Sequence, residues 1–140
     1  MQINSPISDI ARVIQLSIAP VFLITGIAGL LSVLSGRLGR TIDRSRVLHA
    51  LPDNDDIDEQ LSVLSRRAKL IYRAITLGTT SALLICLVIV SLFISAFVTF
   101  PIGRVIAVLF VAAIIALIAA LVLFLREVFL ATRALRIQPR

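Results

Sequence analysis

The chain has 140 residues, a net charge of +6 and a hydrophobic content of 59%, with a mean hydropathy of +1.03. A soluble domain is usually about half apolar; here the apolar residues are also bunched into long runs without charge, which excludes an ordinary water-soluble domain. The single cysteine, Cys86, excludes a disulfide or a multi-cysteine metal site within one chain.

Val13–Gly36, Ala74–Gly103 and Val105–Leu125 lack any charged side chain. Each is long enough to cross a bilayer, which takes roughly 20 apolar residues. The expected fold is an all-α membrane protein of a single domain, with spans at 13–36, 74–99 and 105–125. A helical hairpin covers 37–73, and a basic tail covers 126–140. The first run is read as a span and not as a cleaved signal peptide. It exceeds the usual 7–15-residue apolar core, its approach carries only Asp9 and Arg12, and a basic segment follows it.

The first helix is expected to start at Ser5 as cap, with Pro6 in the first turn and Asp9 at the positive end of the dipole. Pro20 is expected to bend it locally. Leu34, Leu38, Ile42 and Leu48 carry an apolar stripe past the membrane. The stop comes at "LPDNDD", 51–56. Asp56 and Glu59 then read as a capping box for the second helix. Leu61, Leu64, Ala68 and Ile71 lead that helix into span two. The connection is therefore a helical hairpin with arms of about 15 residues, or about 22 Å. Its acidic tip lacks the central glycine of a calcium loop, so a solvated, helix-capping turn is expected there. "FPIG", 100–103, is read as a tight turn pairing spans two and three, and the third span continues into "REVFLATRALR".

Twelve of the fourteen basic residues lie in the connecting segment and the tail. Positive charge favours the cytoplasmic side. The expected topology is N-terminus outside and C-terminus inside, in a bacterial inner membrane. The arginines of "SGRLGRTIDRSR", 35–46, then hold orientation and meet anionic lipid head groups. No aromatic residues interleave them and no DNA-binding motif is present, so nucleic acid is not an expected partner.

On a helical wheel Ser17, Thr25, Gly29, Ser32 and Gly36 share an arc of span one opposite its leucines and isoleucines. Small and hydroxyl residues mark helix contacts in lipid, where no hydrophobic force drives association. The arc is expected either to pack closely or to line a narrow aqueous path in a homo-oligomer. The spans hold no Asp, Glu, Lys, Arg or His, which argues against a proton-coupled pump but leaves a passive pore open. His49 has no metal-ligand or catalytic partner at a recognisable spacing, and no serine sits in a nucleophile elbow. Neither catalysis nor a cofactor or metal is expected.

Three stretches carry a resemblance: "SIAPVFLITGIAGLLSVLSGRLGRTIDRSR", "LSVLSRRAKLIYRAITLGTTSALLICLVI" and "LFVAAIIALIAALVLFLREV". Together they resemble the bacterial membrane family called domain of unknown function 2721. Ala19, Pro20, Arg37, Arg40, Asp43, Arg44, Arg66, Arg67, Arg73, Arg126 and Glu127 match its pattern. The resemblance implies the membrane fold and no activity. Arg37, Arg40, Asp43 and Arg44 are expected to sit opposite Arg66, Arg67 and Arg73 when the hairpin closes, with Asp43 clamping the hairpin base and spare arginines binding lipid phosphate or another anion. The leading functional expectation is a homo-oligomeric pore or ion channel. The alternative is a non-conducting accessory subunit that presents the hairpin to a partner.

Overall fold

Three helices account for nearly all of the described chain. The structure, a computed structural model, describes residues 6–136. They form α1 (Pro6–His49), α2 (Asp55–Ser95) and α3 (Gly103–Arg136). Each is long and apolar enough to cross a membrane. Their 44, 41 and 34 residues span about 66, 62 and 51 Å, against a hydrocarbon core of roughly 30 Å. All three helices therefore outrun a bilayer.

Local chemistry sets the helix ends. Pro6 opens α1, where its missing N–H costs nothing; Ser5, the expected cap, lies outside the described residues. α1 continues through Pro20, whose ring is buried. Its last turn tightens as the Ala50 and Leu51 amides donate to Val47 and Leu48, and Pro52 then prevents continuation. The cap of α2 is Asn54 and not Asp56. Its backbone is extended, and its carbonyl accepts from the Ile57 and Asp58 amides at 2.9 and 3.2 Å. No side-chain capping bond forms there. The helix begins as soon as the chain clears Pro52. Asp55, Asp56 and Asp58 then occupy the first turn, where the dipole favours them.

The connection between α2 and α3 is longer than the expected four-residue turn. α2 ends at Ser95, so span two stops short of Thr99. The Ala96 and Phe97 amides still donate to Phe93 and Ile94 in tightened bonds. Beyond them Pro101 biases Phe100 toward extended backbone. The Ile102 amide closes a three-residue turn onto the Phe100 carbonyl at 2.8 Å, and α3 starts at Gly103.

The helices pack on a seven-residue repeat. In α1 the buried positions are Val13, Ser17, Pro20, Ile27, Leu34, Thr41 and Leu48. In α2 they are Leu64, Ile71, Ala74, Gly78, Ser81, Ile85 and Val88. In α3 they are Ala113, Ala120 and Glu127. Such a repeat is that of left-handed, knobs-into-holes packing. α2 is the central helix, lying along both α1 and α3. One cluster joins Ile27, Ile85 and Ala113, and a second joins Leu34, Ile71 and Ala74 with Leu123 and Phe124.

Large side chains of α1 fit against small residues of its neighbours. A Cβ added to Gly78 would lie 3.0 Å from Cδ2 of Leu31. Ser81 donates across the bundle to the Ala113 carbonyl at 2.8 Å. The repeat does not stop where the apolar spans do. It runs on to Leu48, Leu64 and Glu127, so α3 stays against α2 beyond the membrane-length segment. The helical hairpin expected there is formed by α1 and α2, and α3 lies against it as a third helix.

Candidate functional site

Glu127 sits where all three helices meet. It follows Ala113 and Ala120 on the inner face of α3 and is fully buried. Arg37 of α1 donates to its Oε2 through Nε at 2.8 Å and Nη2 at 2.7 Å. Arg67 of α2 donates through Nε to Oε1 at 3.0 Å. The Arg37 guanidinium also lies 5.5 Å from the centre of the Phe124 ring. Phe124 is one turn before Glu127, so α3 offers the same arginine a carboxylate and a π-face.

Each arginine occupies its repeat position for a reason. Arg37 follows Leu34 by three residues, and Arg67 precedes Ile71 by four. Both guanidinium stems thus extend the buried faces of their helices. The arginine side chains remain 25% and 22% exposed while the carboxylate is at 0%. Burying an unpaired carboxylate would cost several kcal/mol. Two guanidinium partners remove that penalty and leave the cluster with one net positive charge. No buried side-chain polar atom among the described residues lacks a hydrogen-bond partner.

Asp43 does not hold this joint. It is exposed on α1, and both ion pairs among the described residues go to Glu127. The reason is angular: six residues past Arg37, Asp43 is turned about 120° away from it. Of the basic residues expected around Asp43, Arg37 and Arg67 are brought together at Glu127. Arg40, Arg44, Arg66 and Arg73 are exposed. In the sequence Glu127 stands out only as one of the positions that match the family pattern. The stronger signal is its seven-residue spacing from Ala113 and Ala120, which puts the acid on the packed face.

A second feature is the outer face of α1. Thr25, Gly29, Ser32 and Gly36 are all exposed. Added Cβ atoms at Gly29 and Gly36 would meet nothing within 4 Å. Their stripe lies about 180° around the helix from the buried Ile27 and Leu34 positions. Ser17 does not share it: it is 7% exposed on the packed side and donates to the Ile14 carbonyl at 2.8 Å. Thr25 is satisfied by its own helix, donating to Val21 at 3.2 Å. Within the single chain, then, the large face of α1 makes the contacts and the small face is left open.

Among the described residues no group of three or more His, Cys, Asp or Glu side chains is placed to hold a metal. Comparison with curated proteins and with solved structures finds no match. A family model described as "Protein of unknown function (DUF2721)" matches residues 17–137, a stretch that takes in α1 from Ser17 onward, all of α2 and α3, the Arg37–Glu127–Arg67 joint and the open face of α1. The chain belongs to the DUF2721 family.

Proposed function

We propose that this chain is the protomer of a homo-oligomeric inner-membrane assembly in which α1 helices surround the axis, with Gly29 and Gly36 against the neighbouring α1 and Thr25 and Ser32 turned toward a narrow pore. The observation that carries this reading is the open stripe Thr25-Gly29-Ser32-Gly36, opposite the packed face of α1. Glycine and hydroxyl side chains exposed to lipid gain little there. They allow close backbone approach between copies, and hydroxyls can line a passive path without ionisable groups. On the charge argument the arginine-rich end is cytoplasmic and the 96–102 turn is outside. The exposed Arg44, Arg66 and Arg73 then face anionic head groups. Catalysis has no part in this reading.

The test combines assembly and access. Native mass spectrometry in lipid nanodiscs should give a single multimer, and particle images should show a closed ring. Thr25→Cys and Ser32→Cys, made in a Cys86→Ala background, should react with water-soluble thiol reagents in that ring. A monomer, or protected thiols in a closed ring, would remove the pore.

The second reading, a non-conducting accessory subunit, has its own support. The charged end projects beyond a bilayer's thickness. There α1 and α2 border a surface groove of about 460 Å³ that mixes His49, Ser45 and Ser65 with Ile42, Leu61 and Ala68. Protected thiols together with an intact oligomer would favour this reading.

A further inference from the structure

The open face of α1 does not end at the membrane-length segment. Gly36 is followed on the same side by Arg40 and Asp43, within about 60° of the stripe centre. Both side chains are exposed. Neither takes part in the ion pairs found among the described residues. Asp43 is also the one acid between Arg37 and Arg46, a segment whose other charges are four arginines. For holding orientation an acid there adds little, and for meeting anionic lipid it is a disadvantage. Asp43 also does not clamp its own bundle. Within α1 the Arg40–Asp43 spacing places the base N-terminal to the acid, the weaker order for a helix pair.

Resting on the α1-centred assembly proposed above, we infer that Asp43 of one copy pairs with Arg40 of a neighbouring copy, so that this pair and the Gly29–Gly36 stripe form one continuous α1–α1 contact. Copies inserted the same way in a membrane set their α1 helices parallel and at equal height. Arg40 and Asp43 then differ by three residues, about 4.5 Å along the axis, within the reach of an arginine side chain. The small stripe brings the backbones close. The charge pair beyond it sets register, as flanking charges do between parallel coiled helices. The face carries both signs, so two identical copies are complementary on it. A lipid chain lying on the glycine stripe would leave both charges without a role.

The experiment is a charge swap on the full chain in nanodiscs of phosphatidylcholine alone, where no anionic head group competes. Association is read by native mass spectrometry across protein-to-lipid ratios. Helicity and thermal stability of the protomer serve as the folding control. Asp43→Arg should weaken association about tenfold, the scale of a like-charge clash at a contact. Arg40→Asp combined with Asp43→Arg should restore it to within about threefold of the native chain. Gly29→Ile should weaken it without harming the protomer, because nothing lies within 4 Å of its Cβ. If Asp43→Arg has no effect, or the swap fails to restore association while Gly29→Ile still disrupts it, the Asp43–Arg40 pairing is wrong and the α1 contact stands. If the chain is monomeric, or Gly29→Ile changes nothing, the α1 assembly itself is wrong.

Discussion

Glu127 shows what one residue contributes when its neighbours are arranged for it. Its carboxylate has no solvent, so its charge is held by Arg37 and Arg67 alone. Glu127→Leu would leave two guanidinium groups close together without their shared acid. Removing one partner of a buried ion pair costs about 3–5 kcal/mol. The partial exposure of the arginines places the expected loss near the lower end, about 3 kcal/mol, read by denaturant titration in lipid. Asp43→Asn should change protomer stability by less than about 0.5 kcal/mol, as surface substitutions usually do. Equal losses for the two variants would contradict the joint described above. Arg37→Lys should also weaken it, since a lysine cannot make the paired Nε and Nη2 contacts or stack on Phe124.

The helices differ in how they use small residues. On α2 and α3, Gly78, Ala74, Ala113 and Ala120 face inward and receive the larger side chains of neighbours. On α1 the glycines face outward. The same substitution should therefore have opposite consequences. Gly78→Ile would push Leu31 and separate α1 from α2, at a cost of about 1–3 kcal/mol for overpacking. Gly29→Ile should leave protomer stability unchanged. Thermal unfolding of both variants in one lipid, compared with the native chain, checks the contrast. A large loss from Gly29→Ile would mean that the α1 face is packed within the protomer.

For the whole molecule, the separation of charge from apolar length governs insertion. Twelve of the fourteen basic residues gather at the end of the bundle opposite the 96–102 turn, and Arg12 and Arg104 are the two exceptions. Placing three lysines in the 96–102 turn should compete with the natural bias and yield mixed orientation in cells. A cysteine in that turn, in the Cys86→Ala background, would report it through impermeant labelling from either side. Unmixed orientation would show that bundle assembly overrides charge. Such an override would act through the seven-residue repeat that ties the apolar and charged halves into a single bundle.

Much of this was legible from residues in order. Apolar runs flanked by arginines identify the spans because a bilayer tolerates no charge in its core. Pro52 and Pro101 mark the breaks because proline cannot continue a helix, although Asn54 and Ser95, not Asp56 and Thr99, turned out to be the boundaries. The two-sided character of α1 was equally plain from its wheel. Which side would be used inside the protomer was not, because small faces and leucine faces both pack well and only the neighbour's shape chooses between them. The choice fell to Gly78 and Ala74 on α2, whose shallow surface admits Leu31 and Leu34. The partner of Arg37 and Arg67 was likewise decided in three dimensions. Asp43 is close in sequence but turned away, whereas Glu127, ninety residues beyond Arg37, arrives on the inner face of a helix that packs from the far side of α2.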